Sequence, residues 1–338
     1  MTLIEALHAV VEMQSLTEAQ AEAAMGVILA GESTPVLTAA FLTALRLKGE
    51  TVQELAGCAR AMRAVSTRVP VDPAVRPLLD TCGTGGGGIP TFNISTTVAF
   101  VVAGAGIKVA KHGNRSITGK CGSADVLEAL GVRTRATPEE VASSIEQVGI
   151  GFLFAPAFHG AMKHVQPIRL ELKFRTIFNY LGPLTNPAGA EMQLVGTGSE
   201  ATAAKLADTL ARLGLQSGFV VRGHDGLGEV TVTGPTSIYR IANGRVEKQI
   251  VEPVDFGFET HPAATLLGGD PETNRAMVEA VLAGQKGAPR EVVLMTAALA
   301  LIATGKALDF KHGVALATES IDSGAAAAKL RALAAHLR

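Results

Sequence analysis

Five of the six residues from 83 to 88 are glycine, and side chains able to bind an anion follow closely. Asn93, Ser95 and Thr96 supply amide and hydroxyl groups where a helix is expected to begin, and the apolar pair at residues 78–79 enters the run as a short buried strand would. Glycines let backbone N–H groups approach an anion, and a helix N-terminus adds unpaired donors and the positive end of its dipole. Glycine runs also form hairpins and flexible linkers, but the apolar segment after Thr96 favours a phosphate-binding turn between a strand and a helix.

A second polar segment follows a strand expected at residues 107–110. Lys111, His112, Asn114 and Arg115 provide two fixed cations, a titratable ring and an amide among glycines and small polar residues. For Arg115 alone a solvated charged surface is an equal alternative, whereas the whole set favours ligand binding. His112 is assigned a binding role, because nothing pairs it with a serine or cysteine nucleophile and a carboxylate, as nucleophilic catalysis would require.

Two further groups of charged residues have the chemistry to bind a substrate or a metal ion. Arg169 and Arg175 present planar guanidinium groups that match a carboxylate in two parallel hydrogen bonds. A salt bridge to Glu171 or another acid is an equal alternative. Asp225 and Glu229 offer oxygen ligands, and Mg²⁺ usually binds one or two carboxylates together with the phosphates of its substrate. A turn carrying solvated acids explains this pair equally well.

Composition narrows the class of protein. The chain has 338 residues, of which 18% are charged and 47% hydrophobic, so one large domain and a smaller one are expected. A formal net charge of -1 argues against a nucleic-acid binder. Cys58, Cys82 and Cys121 form no CxxC pair, which argues against a zinc site and a disulfide framework and suits a reducing cytoplasm. We expect no signal peptide, and the most apolar late segment, residues 292–303, is too short to span a bilayer and reads as a buried helix.

The order of helix and strand signals predicts an α/β protein. Residues 1–66 contain helix signals and no convincing strand, and three prolines between residues 70 and 77 mark a linker. Strand and helix signals then alternate, which is typical of a mostly parallel sheet covered by helices. Residues 230–250 are expected to form antiparallel strands. The sequence therefore predicts a small helical domain, residues 1–70, and a larger α/β domain, residues 71–338.

Several of the polar segments follow predicted strands directly. They are the glycine run and residues 111–113, 155–156 and 223–225. Ligands of open α/β sheets bind beyond the carboxyl ends of the strands. We therefore expect these segments to meet in one cleft.

The motifs together resemble the anthranilate phosphoribosyltransferases of tryptophan biosynthesis. The resemblance extends over nearly the whole chain, and its motifs occur in the right order. The segments that carry it are residues 44–50, 80–86, 91–96, 111–116, 122–127, 154–156, 159, 161–163, 175–179 and 181–187.

The resemblance implies a nucleoside phosphorylase-like fold, in which a later helical segment near residues 160–185 packs on the small N-terminal domain. It also implies a cytoplasmic homodimer that uses Mg²⁺ and binds neither nucleic acid nor membrane. The implied reaction is attack of the anthranilate amine on C1 of phosphoribosyl pyrophosphate (PRPP), which gives N-(5-phosphoribosyl)anthranilate and pyrophosphate. No covalent enzyme intermediate and no catalytic side chain is expected, since positioning and charge stabilisation carry such a step.

The resemblance also implies which residues form the site. Those expected to contact PRPP are Gly83, Gly86, Thr91, Asn93, Ser95, Thr96, Lys111 and Ser123. Those expected to bind anthranilate or line its path are Gly83, His112, Asn114, His159 and Arg169. Those expected to bind the metal ion are Ser95 and Glu229.

The chain departs from the family pattern at three positions. Gly87 and Gly228 stand where the family usually has aspartate, and Lys173 replaces a usual glycine. The two glycines each remove a carboxylate from the region of the metal and pyrophosphate. We expect Mg²⁺ to arrive chelated by pyrophosphate and to be held less firmly, by Glu229 with help from Asp225.

Two other functions are compatible with parts of this pattern. Pyrimidine nucleoside phosphorylases share the fold and bind phosphate at a similar glycine-rich segment, so phosphorolysis of a nucleoside is a second enzymatic hypothesis. A non-catalytic relative that binds nucleic acid is a third, which the near-neutral charge disfavours. The pair Asn114 and Arg169 favours anthranilate over both.

Overall fold

Helices form the N-terminal part of the chain. The computed structural model describes residues 1–85, 89–116 and 119–338. The first helices are α1 (Leu3–Val11), α2 (Glu18–Ala30), α3 (Pro35–Lys48) and α4 (Val52–Val65). Thr17 and Thr51 each form a capping box, with Gln20 and Glu54 respectively, so the first N–H groups of α2 and α4 are paired. Gly31 ends α2 at a φ of 75°, a conformation that glycine adopts without strain.

The larger domain is built on one sheet. Its strands are β1 (Leu79–Gly83), β2 (Val109–Gly113), β3 (Ile150–Phe154), β4 (Met192–Gly196), β5 (Ser217–Gly223), β6 (Thr236–Ala242) and β7 (Arg245–Val251). In the described residues the sheet has seven strands in the order β3-β2-β1-β4-β5-β6-β7. The pairs from β3 to β5 are parallel and the last two pairs are antiparallel. The predicted α/β class and the mostly parallel sheet are confirmed.

Helices cover both faces of the sheet. They are α5 (Ile94–Gly104), α6 (Ser123–Ala129), α7 (Pro138–Ser143), α8 (Ala155–Phe158), α9 (Gln166–Leu172), α10 (Phe178–Leu184), α11 (Glu200–Arg212), α12 (Pro271–Leu282), α13 (Ala288–Ala303), α14 (Phe310–Asp322) and α15 (Ala325–His336). One apolar cluster joins α5, α13 and the strands, and α13 is the buried helix predicted at residues 292–303. A second cluster joins α1 to α4 with α10, α11 and the other face of the sheet. The sheet therefore lies between two apolar layers.

The later helical segment shares its apolar cluster with the N-terminal helices. Val165, Ile177, Phe178 and Leu181 belong to the cluster that contains α1 to α4. This contact accords with the expected packing of residues 160–185, while the boundary of the helical domain at residue 70 stays a prediction. Among the described residues, no helix is long and apolar enough to cross a membrane.

Two strand predictions need correction. The strand expected at residues 107–110 begins only at Val109, because Ile107 still donates its N–H to Val102 at the end of α5. Lys111 and His112 therefore lie inside β2 and are buried, whereas the sequence placed them after the strand. In the antiparallel region, β6 begins at Thr236 rather than near residue 230, because the preceding residues form a hydrogen-bonded loop.

Candidate functional site

The strand order reverses between β1 and β4, and three backbone segments approach one another there. β2 and β3 lie to one side of β1, and β4 and β5 lie to the other. Thr84 N–H donates to the carbonyl of Gly196 at 3.0 Å, and a Cβ added to Gly83 would lie 2.9 Å from that same oxygen. A Cβ at Gly196 would overlap the carbonyl of Gly228. Glycine is needed at this edge, and a crevice at such a reversal is the usual ligand site of an open α/β sheet.

Lys111, Ser95 and Glu229 come together beside this crevice. Lys111 is 3% exposed, and its Nζ donates to the carbonyl of Thr81 and lies 3.4 Å from Oγ of Ser95. Burial lowers the pKa of Lys111, an effect that nearby acids oppose. Loss of solvent also raises the pKa of Glu229 to about 8, against the attraction of Lys111 and a hydrogen bond from the backbone of Ser95. The cluster thus joins a poorly solvated ammonium and a carboxyl group whose ionised form is disfavoured, and a phosphate with its counter-cation would stabilise the charged form of each.

Asp80 orients the strand that carries Lys111. It is fully buried on β1, and its carboxylate accepts hydrogen bonds from the backbone N–H of His112 at 3.0 Å and from Nδ2 of Asn186 at 2.8 Å. Burial raises its pKa, an effect that these bonds and the charge of Lys111 oppose. Asp80 therefore joins β1, β2 and the segment after α10 at the base of the crevice.

The residues expected to contact PRPP lie around the N-terminus of α5. Asn93 precedes the helix, Ser95 and Thr96 lie in its first turn, and Thr91 pairs with Leu267 in an isolated bridge. The Thr96 hydroxyl is buried and has no hydrogen-bond partner among the described residues. Gly86, also expected to contact PRPP, lies outside the described residues, as does Gly87.

Asn114 and Ser123 are joined by reciprocal hydrogen bonds. The Ser123 hydroxyl accepts from the Asn114 N–H at 3.2 Å and lies 3.1 Å from the Asn114 carbonyl, to which it donates in turn. Arg115 instead forms exposed ion pairs with Asp125 and Glu128, both at 2.7 Å. The solvated-surface alternative for Arg115 is therefore the correct one.

His112 and His159 form a buried pair. Their Nε2 atoms are 3.2 Å apart, and Nδ1 of His112 lies 3.1 Å from the carbonyl of Gly182. Burial lowers the pKa of His112 to about 4 and that of His159 to about 3, so both rings are neutral at pH 7. His112 must donate from Nδ1 to the carbonyl and accept at Nε2 from His159. Nδ1 of His159 is then a buried acceptor, and it has no partner in the described part of the chain.

Arg169 is a partly buried cation on α9. Its guanidinium lies 5.7 Å from the ring centroid of Phe178 and 3.4 Å from Oε1 of Gln166, and loss of solvent lowers its pKa. None of the ion pairs among the described residues includes Arg169, so the salt bridge considered for it is not formed there. Within the same ranges, no hydrogen bond joins Arg169 to Asn114.

Arg175 contacts the glycine segment rather than an acid. Its Nη1 donates to the carbonyl of Gly85 at 3.0 Å, and its Nη2 lies 3.4 Å from the carbonyl of Thr84. The guanidinium is thus already hydrogen-bonded. Within the residues that the structure describes, it forms no ion pair with Glu171. Arg175 therefore connects the segment after α9 to the turn after β1.

Asp225 has a structural role in its loop. Its carboxylate accepts from Leu227 N–H at 2.9 Å, from the Thr231 hydroxyl at 2.6 Å and from the Thr233 hydroxyl at 2.7 Å. These three bonds occupy most of the about four lone-pair sites of the carboxylate, so they count against the expected help from Asp225. No group of three or more potential metal ligands from His, Cys, Asp and Glu occurs in the described ranges. The expectation that Glu229 and Ser95 bind the metal ion stays a prediction.

Sequence reasoning missed two residues that contact the site. Asn274 of α12 hydrogen-bonds Asn93 at 2.9 Å, and the Thr197 hydroxyl lies 3.2 Å from that of Thr84. The paired glycines at residues 268–269 were the local signal that another segment lies close by. A Cβ at Gly268 would lie 2.6 Å from both Phe92 N and Oδ1 of Asn274.

Comparisons with known proteins agree with this geometry. Residues 75–327 match the model of the glycosyl transferase family, a/b domain, and residues 4–66 match that of the glycosyl transferase family, helical bundle domain. Anthranilate phosphoribosyltransferase from Solibacter usitatus is 56% identical over 336 residues, covering 99% of this chain and 98% of that protein. The enzyme from Moorella thermoacetica is 53% identical over 326 residues, with 96% of each chain covered. The chain therefore belongs to this glycosyl transferase family and, within it, to the anthranilate phosphoribosyltransferases.

Solved structures give the same result. Anthranilate phosphoribosyltransferase from Thermus thermophilus superposes with a TM-score of 0.93 at 43% identity, covering 98% of this chain and 99% of that one. The Saccharomyces cerevisiae enzyme, in complex with PRPP and Mg, has a TM-score of 0.90 at 30% identity over 99% of this chain and 97% of that one. The same yeast enzyme has also been solved with 4-fluoroanthranilate, with a TM-score of 0.88.

Proposed function

We propose that this protein transfers the phosphoribosyl group of PRPP to the amine of anthranilate in tryptophan biosynthesis, releasing pyrophosphate. The observation that carries the proposal is the cluster of Ser95, Lys111 and Glu229 at the N-terminus of α5, at the edge of the sheet where the strand order reverses. A helix N-terminus and a buried ammonium favour phosphate groups, and a poorly solvated carboxylate favours their counter-cation. In this proposal the diphosphate of PRPP would lie against the N-terminus of α5.

PRPP would be held mainly by its charged groups. Lys111 supplies a buried ammonium, and Asn93, Ser95, Thr96 and Ser123 supply hydroxyl and amide groups near the start of α5 and α6. Each charge-assisted hydrogen bond to a phosphate is worth about 1.5–3 kcal/mol. The Thr96 hydroxyl, without a partner among the described residues, is a donor that such a ligand would satisfy.

Anthranilate would be held by its carboxylate and its amine. Arg169 is a partly buried guanidinium that forms none of the ion pairs recorded in the described residues, and a carboxylate is its natural ligand. Nδ1 of His159 is a buried acceptor that suits an N–H of the anthranilate amine. The neutral His112 accepts from Nε2 of His159 and so fixes the tautomer of His159. Asn114, whose backbone N–H bonds the hydroxyl of Ser123, would orient anthranilate just beyond the carboxyl end of β2.

The reaction needs positioning more than proton transfer. The amine nitrogen forms a bond to C1 of the ribose with its lone pair, and the bond from C1 to the pyrophosphate oxygen breaks with its electrons on that oxygen. The nitrogen then loses one proton to the released pyrophosphate or to water. Negative charge grows on the leaving pyrophosphate, where Lys111 and the N–H groups at the start of α5 stabilise it. An aromatic amine is a weak base and is unprotonated at pH 7, and the neutral histidines place no positive charge beside it.

We further propose that Mg²⁺ binds with the donor. Loss of solvent destabilises the ionised form of Glu229, and Ser95 lies beside it. These residues fit a cation whose other ligands are the phosphate oxygens of the substrate. When bound, the ion would neutralise charge on the diphosphate. Glu229 and Ser95 would be its protein ligands.

A homodimer in the cytoplasm completes the proposal. Ile4 and Val11 on α1 are 51% and 62% exposed, and Val36 and Leu47 on α3 are 80% and 79% exposed. α1 and α3 pack on each other, so these side chains suit a shared apolar interface between two copies. Cys58, Cys82 and Cys121 are free thiols, which suits a reducing compartment.

The test is a product assay with purified protein, anthranilate, PRPP and Mg²⁺, followed by loss of anthranilate fluorescence. We expect consumption of anthranilate only when PRPP is present, with equimolar release of pyrophosphate. The Arg169→Gln variant should raise KM for anthranilate by about 10- to 100-fold with little change in KM for PRPP. Phosphorolysis of a nucleoside without transfer to anthranilate, or an unchanged KM in the variant, would contradict the proposal.

A further inference from the structure

A buried amide far along the chain contacts the expected PRPP site. Asn274, on α12, is 1% exposed, and its Nδ2 lies 2.9 Å from Oδ1 of Asn93, 181 positions earlier. Asn93 immediately precedes α5 and is expected to contact PRPP. Asn274 itself belongs to none of the residue sets assigned to the site.

A backbone group fixes the orientation of the Asn274 amide. Gly269 N–H donates to Oδ1 of Asn274 at 2.7 Å, and a backbone N–H can only donate. The oxygen of Asn274 therefore faces Gly269, and its nitrogen faces Asn93. A side-chain amide has one accepting and one donating end, so Asn93 must present Oδ1 to Asn274. Its Nδ2 is consequently directed to the other side.

The orientation of Asn93 matters because of what an anionic ligand accepts. Phosphate oxygens accept hydrogen bonds, so an amide NH₂ attracts them and an amide carbonyl repels them. Nδ2 of Asn93 makes a long contact of 3.4 Å with the carbonyl of Cys121, which uses at most one of its two hydrogens. The Cys121 thiol has one hydrogen and two acceptors within reach, Oδ1 of Asn93 at 3.4 Å and the Gly122 carbonyl at 3.6 Å. The Cys121 carbonyl and Asn274 therefore select the same orientation of the Asn93 amide.

The loop that carries Gly269 is packed tightly on the segment before α5. Phe92 N–H donates to the carbonyl of Leu266 at 3.2 Å, and Gly268 N–H donates to that of Pro90 at 3.0 Å. A Cβ at Gly268 would lie 2.6 Å from both Phe92 N and Oδ1 of Asn274. The distance between Gly269 and Asn93 is thus fixed by the backbone, and Asn274 spans it.

We propose that Asn274 is a positioning residue for the donor site, which holds the Asn93 amide with its NH₂ group toward the phosphate or ribose oxygens of PRPP. The proposal rests on the proposed function. Asn274 does not touch the substrate in this scheme. The N–H of Gly269 fixes the orientation of the Asn274 amide, and Asn274 in turn fixes that of Asn93, which would contact PRPP.

The Asn274→Asp and Asn274→Ala variants separate this role from a loss of packing, and a double-variant cycle with alanine separates it from direct repulsion of the phosphates by the new carboxylate. In Asn274→Asp the carboxylate still accepts from Gly269, but its other oxygen faces Asn93 and reverses that amide, which turns a carbonyl toward the donor. Asn274→Ala leaves the Asn93 amide free to adopt either orientation. We expect the Kd of PRPP with Mg²⁺, measured by calorimetry without anthranilate, to weaken by about tenfold or more in the Asp variant and by less in the Ala variant. KM for anthranilate should stay within about twofold.

Loss of packing predicts the opposite order, since Ala leaves the larger cavity. Weaker PRPP binding by Asn274→Ala than by Asn274→Asp, or wild-type binding by Asn274→Asp, would overturn the proposal. Ser320→Ala is the matched control, because the buried Ser320 hydroxyl donates to the Val101 carbonyl of α5 at 2.7 Å without contacting Asn93. It should lower Tm and leave the Kd of PRPP unchanged.

A double-variant cycle decides the question if the Asp variant does not fold. Asn274→Ala should weaken PRPP binding in the natural background and add nothing in an Asn93→Ala background, whereas additive losses would refute the relay. Failure of the proposed function is a separate result, because the natural protein would then form no product. Failure of this inference leaves a natural protein that turns over and an Asn274→Asp variant that binds PRPP equally well.

Discussion

Two acidic regions lie four positions apart in the loop after β5 and differ in how their charge is satisfied. Asp225 accepts from one backbone N–H and two threonine hydroxyls and holds the loop together. The backbone of Ser95 and the charge of Lys111 both favour the ionised form of Glu229, but loss of solvent still raises its pKa to about 8. A satisfied carboxylate stabilises the fold, whereas an unsatisfied one is available to a ligand. The contrast supports a structural role for Asp225 and the proposed functional role for Glu229, although the sequence alone gave equal grounds for both roles in each residue.

The largest expected effect is that of Glu229→Gln on catalysis. The amide keeps the shape and removes the negative charge that a cation beside the pyrophosphate would use. We expect kcat/KM for PRPP to fall by about 10- to 100-fold, the value of one charge-assisted interaction. Steady-state kinetics at saturating anthranilate would measure it. The exposed Glu259→Gln is the control, and an equal loss in both variants would remove the distinction drawn for Glu229.

The raised pKa of Glu229 should also be visible in the pH dependence of the free energy of unfolding. Its pKa is raised from 4.5 to about 8 in the folded protein, so the unfolded chain releases this proton first and folding stability falls as pH rises through this range. Glu229→Gln removes this loss, so the variant should become more stable than the natural protein as pH rises from about 5 to 8. We expect a difference on the order of 1–3 kcal/mol, reduced by partial hydration.

Urea unfolding of both proteins at several pH values would measure the difference. A Glu229→Gln variant that gains nothing between pH 5 and 8 would show that the carboxylate is not destabilised. Binding of PRPP with Mg²⁺ should have the opposite trend in the natural protein, since the cation must displace the proton. Its affinity is expected to rise up to pH 8 and to level off above it.

The local parts of the site could be predicted from the sequence. The buried strand before the glycine run, the start of α5 and the helix caps depend on residues close together in the chain, and each has a distinct backbone requirement. The placement of Lys111 and His112 could not be predicted in this way. Polar residues usually end a buried strand, but here the carbonyls of Thr81 and Gly182 accept hydrogen bonds from the side chains of Lys111 and His112. Asp80 also accepts from the backbone N–H of His112, so both residues stay inside β2.

Contacts between distant segments were beyond sequence reasoning. Asn274 and Asn93 are 181 positions apart, and nothing in the spacing of either predicts the hydrogen bond between them. Thr231 and Thr233 were a local signal for the structural role of Asp225, because residues two apart can direct their hydroxyls to the same side of the chain. Its interpretation still depended on the loop geometry, because the same residues would be solvated in an open turn.

A smaller effect is expected at Asp225, and on stability rather than chemistry. Asp225→Asn loses a charged acceptor for the hydroxyls of Thr231 and Thr233, so we expect a loss of about 1–2 kcal/mol in the free energy of unfolding. kcat/KM should change less than about threefold below the melting temperature, since the loop remains closed by its backbone. Denaturant unfolding with the exposed Asp208→Asn as control would measure the loss, and a catalytic defect as large as that of Glu229→Gln would assign Asp225 to the metal.

The smallest expected effect comes from restoring a carboxylate beside Glu229. A Cβ at Gly228 would lie 3.1 Å from Thr197 N and 3.3 Å from the carbonyl carbon of Gly196, so the backbone needs to move by a few tenths of an ångström. Gly228→Asp would then add a second oxygen ligand where Mg²⁺ usually takes one or two carboxylates. We expect the Mg²⁺ concentration for half-maximal activity to fall by about 3- to 10-fold with little change in kcat.

Gly228→Asn is the matched variant for this last comparison, because it imposes the same displacement on Thr197 without adding charge. If both variants shift the Mg²⁺ dependence equally, the cause is the backbone movement and Glu229 already supplies all the negative charge that the ion requires from this loop. If only Gly228→Asp shifts it, the glycine in this chain leaves the cation more dependent on pyrophosphate. An unchanged Mg²⁺ dependence in Gly228→Asp would mean that the ion does not bind beside Glu229, and the contrast with Asp225 would then have to be explained by the phosphate alone.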